Sequence, residues 1–223
     1  MSIGVLMLDT RFTRFVGDIG NPASYSEPVL FEVVRGATVD KVVPAKAPPL
    51  IDDFVAAGER LVQRGAKAVT TGCGFLVLNQ AELASRLSVP VATSSLLLIP
   101  SLMKLLPAGK RLGVLTFSAR DLTPAHFVAA GAPADTPVEG VQQDGVFQSA
   151  IYEKPCADSV EARGAEVVAA AQRLTQRHDN IGAILFECTN FPPHRNAVKS
   201  ATGLPVYDIF TLVGLLRTGA RNS

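Results

Sequence analysis

The chain repeats itself once, and that repeat constrains its fold more than any single motif. Ile-Gly-Val-Leu at residues 3–6 returns as Leu-Gly-Val-Leu at 112–115, an offset of 109 positions. Ala-Val-Thr-Thr-Gly-Cys-Gly-Phe at 68–75 returns as Ala-Ile-Leu-Phe-Glu-Cys-Thr-Asn at 183–190, an offset of 115. Ser-Val-Pro-Val at 88–91 returns at the same offset as Gly-Leu-Pro-Val at 203–206. Strand, cysteine, helix and second strand thus recur in one order. One such match arises easily by chance; three in register point to a duplication, with two half-chains around a pseudo-twofold axis and equivalent points meeting at a cleft.

The hydrophobic pattern fits that reading. Residues 3–8, 30–34, 68–71, 89–93, 111–116, 182–186 and 204–208 are short continuous apolar runs, as expected of parallel strands covered on both faces. Residues 49–64, 77–87 and 159–177 carry helical periodicity with polar faces. The fold class is therefore α/β, with two pseudo-symmetric doubly wound parallel-sheet halves and the site in the cleft between them. Since a helix after each V-P-V or L-P-V strand can cross to the other half, residues 1–97 plus 206–223 are expected in the half carrying Cys73. Residues 98–205 are expected in the half carrying Cys188. The competing reading is one doubly wound sheet whose cysteines are core residues, free cysteine being among the most buried types.

Composition narrows the function. Hydrophobic residues at 48% against 18% charged are enough to fill a core. Lys plus Arg number 21 against 20 for Asp plus Glu, without a run of like charge, which argues against nucleic acid as a partner. The most apolar window, 89–106, is interrupted by Pro90, Ser94, Ser95, Pro100, Ser101 and Lys104 and falls short of the ~20 clean residues needed to span a bilayer. It reads as a buried strand running into a helix, so no membrane partner is expected. Three cysteines, an odd number, and no visible secretion signal point to free thiols in the cytoplasm. A small-molecule substrate is the expected partner, and a homo-oligomer is compatible with the reading.

Each repeated cysteine closes a strand and precedes a helix, at the carboxyl end where open α/β sheets place ligands. The thiolate is the base and nucleophile, and a helix N-terminus is expected to lower a thiol pKa. Gly72 and Gly74 beside Cys73 let main-chain amides come close, while Thr189, Asn190, Pro192 and Pro193 suit a helix cap and first turn. Two acid/base groups on opposite sides of one carbon can remove a proton from one face and return it to the other. That is racemisation or epimerisation, without metal or organic cofactor.

At these residues the sequence resembles the aspartate/glutamate/hydantoin racemase superfamily, which also includes allantoin racemases, maleate isomerase and arylmalonate decarboxylase. The resemblance covers nearly the whole chain. It rests on an opening strand ending in Asp9-Thr10, on T-T-G-C-G-F around Cys73, on E-C-T-N-F-P-P around Cys188 and on the V-P-V and L-P-V strands. It implies a cofactor-independent racemase or epimerase in which Cys73 and Cys188 act as acid and base on a small carboxylate-like or hydantoin-like substrate. Asp9 and Thr10 match the family's Asp-Ser, and Thr116 and Ser118 mirror them through the repeat. With Gly74, Phe75, Thr189 and Asn190 they form the expected substrate-binding set. Asp9 could equally cap the loop that follows it. The chain departs from the family where Asn190 replaces a His after Cys-Thr and where Gly74-Phe75 replaces Asn-Thr. These departures disfavour aspartate and glutamate and favour a less polar or ring-shaped substrate, with Phe75 and Phe191 at the mouths of the site; the other orientation turns both rings into the core.

Two other functions compete. One is a cis-trans isomerase or lyase of the same superfamily, in which Cys73 adds to a double bond and Cys188 handles the proton. The other is a non-catalytic small-molecule-binding protein. The long loop at 11–28, rich in Gly, Pro, Asn and Ser, is a lid or clamp or a plain surface loop. Glu187, one residue before Cys188, is expected on the opposite side of its strand in a structural salt bridge. Cys156 lacks a partner in the repeat and is taken as incidental. His126, His178 and His194 lack metal-ligand spacing, so no metal site is expected, and only His194 lies near the second motif.

Overall fold

The computed structural model describes residues 2–44 and 50–220. Met1, Pro49 at the start of the first expected helical stretch, and the last residues of the expected first half, 221–223, lie outside them. The first half runs β1 (Ile3–Leu8), β2 (Val29–Val34), α1 (Val39–Val42), α2 (Ile51–Gln63), β3 (Ala68–Thr71), α3 (Gln80–Arg86), β4 (Val91–Ala92) and α4 (Ile99–Leu105). The second runs β5 (Arg111–Thr116), α5 (Pro124–Ala129), β6 (Val138–Gly140), α6 (Val146–Ile151), α7 (Val160–Arg177), β7 (Ile181–Phe186), α8 (Arg195–Thr202), β8 (Val206–Tyr207) and α9 (Ile209–Ala220). The strands form two four-stranded sheets, ordered β2-β1-β3-β4 and β6-β5-β7-β8, and every pairing is parallel.

The repeat is visible atom by atom. The N–H of Gly72 donates to the Leu6 carbonyl and that of Glu187 to the Leu115 carbonyl, both at 2.8 Å. The carbonyls of Pro90 and Pro205, in the repeated V-P-V and L-P-V segments, accept from Val69 and Ile184, both at 2.9 Å. The glycine shared by the two opening strands also has one purpose in both. A Cβ on Gly4 would lie 3.0 Å from Leu61 of α2, and one on Gly113 would lie 2.6 Å from Leu174 of α7. In each half the missing side chain lets the covering helix seat a leucine against the central strand.

The edges depart from the apolar pattern. Strand β6 carries no apolar run because Glu139, buried in its middle, is met by Arg173 and Arg177 at 3.1 and 2.6 Å. Strands β4 and β8 are two residues long, shorter than their apolar segments, since each pairs with only two residues of its neighbour. Helix α3 starts three residues late because 74–79, directly after Cys73, is wound as a 3₁₀ helix. Ser159 caps α7 by accepting from the Ala162 N–H at 3.1 Å. The helix that ends each half's run crosses over: α4 packs on β5 of the second sheet, and Val213 of α9 clusters with Ile3 and Ala68 of the first.

Candidate active site

The ends of β3 and β7 and the loop after β1 close on one small cavity of ≈ 30 Å³. Cys73 and Cys188 both line it, and both are free thiols. Thr10, Gly74, Phe75, Thr189 and Asn190 line it as well. The loop at 11–28 supplies Phe12 and Arg14. That loop is pinned from behind by Arg163, buried in α7, which forks onto Asp158 with two 2.7 Å bonds and donates to the Thr13 carbonyl at 3.1 Å. On the far side the Ile19 N–H donates to the Thr189 carbonyl at 3.3 Å.

The two thiols have different surroundings. Cys188 Sγ donates to Asn190 Oδ1 at 3.7 Å, and Asn190 Nδ2 donates to Asp18 Oδ2 at 2.7 Å, which fixes the orientation of the amide. Asp18 Oδ1 in turn accepts from Arg14 at 2.9 Å and from the Gly20 N–H at 2.7 Å. Arg14 also donates to Thr10 Oγ1 at 3.0 Å and stacks over the Phe12 ring at 4.2 Å. At Cys73 the main-chain N–H groups of Phe75 and Leu76 favour the thiolate. Burial nevertheless dominates, with the negative field of Glu187 next, and pushes the Cys73 thiol up to about 12. The Cys188 thiol is also raised well above its ordinary value, again chiefly by burial and then by Glu187. The helix-start effect expected to lower both is outweighed by desolvation.

Glu187 corrects the sequence reading most sharply. It lines the cavity and is fully buried, and among the described residues it forms no salt bridge. Thr116 Oγ1 donates to its Oε2 at 2.8 Å, while Oε1 is buried without a hydrogen-bond partner. Burial raises its carboxyl to about 7, partly offset by Thr116 and the Phe117 main chain. Strand alternation failed as a guide because β7 ends at Phe186, so the pleat does not extend to Glu187.

Three expected substrate contacts lie elsewhere. Asp9 is exposed, does not line the cavity, and accepts from the Gly36 N–H at 2.9 Å, in the turn after β2 and not in the loop that follows Asp9. Thr116 is buried behind Glu187. Ser118 donates to Asp121 at 2.5 Å and faces a separate polar groove with Gln142 and Arg173. Thr189 spends its hydroxyl on the Gly72 carbonyl at 2.8 Å, tying the halves together. The Phe75 ring packs edge-on to His126 at 5.3 Å. Phe191 is not at a mouth: it is fully buried against Phe147 and Phe186 at 4.9 and 5.6 Å. His194 is buried with its charged form disfavoured, and Cys156 is exposed. No motif in the sequence points to Arg14 or Phe12; the length and composition of the loop at 11–28 are the signal that it holds functional residues. Among the described residues no group of His, Cys, Asp and Glu could hold a metal ion, and no helix is long and apolar enough to cross a membrane.

Two parallel α/β halves, each sending a strand-end cysteine into one shared cavity, define the class. Among solved structures the chain is similar to a glycine-to-cysteine mutant of arylmalonate decarboxylase in a sulfate-associated form, with a TM-score of 0.63 and 16% identity over 98% of this chain and 94% of that one. It is similar also to the aspartate racemase of Picrophilus torridus, with a TM-score of 0.59 and 13% identity over 99% of this chain and 94% of that one. In sequence it is 34% identical over 215 residues to the dimethylsulfoniopropionate lyase of Durusdinium sp. clade D, covering 93% of this chain and 71% of that one. It is 31% identical over 222 residues to dimethylsulfoniopropionate lyase 3 of Emiliania huxleyi (strain CCMP1516), spanning 94% of this chain but only 57% of that relative's length. No family model matches. The chain belongs to the family that includes the Durusdinium lyase, and it shares its fold with arylmalonate decarboxylase and aspartate racemase.

Proposed function

We propose that the chain is a lyase that removes the α-proton of a small carboxylate bearing a leaving group on its β-carbon. Dimethylsulfoniopropionate, for which its relatives are named, is the candidate substrate. The observation that carries this reading is the inequality of the two thiols. Racemisation needs two comparable acid/base groups on opposite faces of a carbon, whereas elimination needs one base. Asn190 Oδ1 accepts a hydrogen bond from the Cys188 thiol and favours its neutral form against the single Asn190 main-chain N–H that favours the anion, while Cys73 is met by two such N–H groups, those of Phe75 and Leu76.

In the proposed step the Cys73 thiolate takes the α-proton. The C–H pair becomes the Cα–Cβ π bond, the Cβ–S bond breaks with its electrons going to sulfur, and dimethyl sulfide and acrylate leave. Cys73, left as the thiol, returns its proton to solvent, so the balance is one proton released per turnover. Arg14 pairs with the substrate carboxylate and stabilises the charge that builds on it as the proton leaves. Its guanidinium is already oriented by Asp18 and Thr10. Asn190 and Thr189 hold the wall on the Cys188 side, and Gly74 and Phe75 form the wall at Cys73. Neither metal nor organic cofactor enters this chemistry.

A second reading, a racemase or epimerase of a carboxylate-like or hydantoin-like compound, is favoured by one observation: both cysteines line the same cavity. One experiment separates the two. The protein is incubated in deuterated water with dimethylsulfoniopropionate and, separately, with enantiopure 5-substituted hydantoins. Equal amounts of dimethyl sulfide and acrylate are expected from the first. Deuterium entry with loss of optical activity in the second, without dimethyl sulfide from the first, overturns the lyase reading.

A further inference from the structure

The second half carries a carboxylate that the first half lacks. Through the 115-residue offset Glu187 corresponds to Gly72, and their N–H groups make the same bond to the neighbouring strand. Through the 109-residue offset Thr116, the donor to Glu187, corresponds to Met7, whose sulfur lies 3.0 Å from where a Gly72 Cβ would stand. Acid and donor therefore occur together on one side, where the other side has a glycine under a thioether.

A carboxylate taken out of water is costly unless charge or donors meet it. Thr116 meets Oε2, but Oε1 is fully buried and unpartnered at the cavity wall. Gly74 packs closely against it, and only a glycine fits there, since a Cβ would stand 2.3 Å from Oε1. Arg14, the guanidinium of the same cavity, is held by Asp18. Phe12, Phe75 and Phe117 add aromatic surface to the wall. Rings and an unpaired carboxylate are what a compact cation without hydrogen-bond donors would use.

We infer that Glu187 is the counter-ion for the cationic end of a zwitterionic substrate, a sulfonium or quaternary ammonium group, with Arg14 taking the carboxylate end. This deepens the lyase reading and rests on it for the second half of the substrate. Elimination turns the sulfonium into a neutral sulfide, so the pairing holds the substrate and releases the product. Above about pH 7, where Glu187 is ionised, pairing it with the cation also offsets a negative field that disfavours the Cys73 thiolate, which couples the arrival of the cation to activation of the base.

The test reads binding without turnover, by calorimetry on protein carrying Cys73→Ser. The probes are dimethylsulfoniopropionate and 4-methylpentanoate, its neutral-ended isostere. The cation is expected to bind roughly 10- to 100-fold more tightly, and adding Glu187→Gln is expected to bring the ratio close to one. Equal affinities with Glu187 present, or a preference that survives Glu187→Gln, overturn the proposal. Should the double variant fail to fold, proton release decides. At pH 6–7 the cation should expel the Glu187 proton and the isostere should not, because the facing thiols of Cys73 and Cys188 stay protonated there. Equal proton release by both probes is the overturning result. If the wild-type protein forms no dimethyl sulfide, the lyase reading fails while the charge preference remains measurable.

Discussion

A Cβ atom on Gly74 would stand 2.3 Å from both the main-chain oxygen and the Oε1 of Glu187, so the residue after one cysteine fits against the residue before the other. Because backbone sits on one side of the contact, little can shift. Gly74→Ala is expected to destabilise the fold by about 1–3 kcal/mol and to lower turnover by displacing Glu187 from the cavity wall. Thermal unfolding and steady-state kinetics check both, and an alanine variant of unchanged stability would show that the two halves can separate to make room.

The inequality of the thiols predicts unequal mutants. Cys73→Ser should lower dimethyl sulfide formation by roughly 10²- to 10⁴-fold, the range for loss of a positioned base, and Cys188→Ser should cost distinctly less. Equal losses would favour two-base chemistry. Intact-mass measurement after iodoacetamide at pH 7 should show Cys156, which is exposed, modified first, since the other two are buried and protonated.

Glu187 should make the fold less stable as pH rises. Its carboxyl is raised from 4.5 to about 7, so between those values the folded chain keeps a proton that the unfolded chain has lost. That contribution is fully present below about 4.5 and is lost as the pH climbs through about 7. It amounts to about 3 kcal/mol. His194, lowered to about 4 by burial, acts oppositely in part of this window, losing stability as pH falls below 6.5. The comparison is therefore wild type against Glu187→Gln in urea at pH 5 and pH 8: the variant should gain at pH 8 and not at pH 5. A constant difference would mean that Glu187 stays charged throughout.

Arg14→Ala should raise KM for dimethylsulfoniopropionate and weaken inhibition by acrylate to a similar degree, roughly 10- to 100-fold, as expected for loss of a charge-assisted pair. Arg14→Lys should recover little, because an ammonium cannot bond Asp18, Thr10 and a carboxylate in one plane. Acrylate inhibition that is unchanged in Arg14→Ala would remove Arg14 from the carboxylate site.

The repeat made the fold legible. Two offsets in the sequence locate both central strand pairs, both cysteines and both proline-containing strands, because each motif answers to a local demand: a glycine under a leucine, a strand buried on both faces, a thiol at a strand's carboxyl end. The same symmetry misled where the halves differ. Thr116 and Ser118 were read as images of Asp9 and Thr10, yet Thr116 turned to Glu187 and Ser118 to Asp121. Strand β6 went unseen because the charge of Glu139 is cancelled by arginines from a helix more than 30 residues away in sequence.

What the sequence by itself determined is the duplicated α/β architecture and the pair of strand-end thiols, since both are written in local, periodic patterns of residue type. What only the tertiary structure decided is the character of the site: that Glu187 is drawn into the cavity, that Arg14 arrives from a loop with no periodic signal, that Phe191 turns away into the core, and that burial raises the thiols above their ordinary range. Each of these depends on how much water and which charges surround a side chain, and that is set by segments far apart in the chain that meet only when the two halves close on each other.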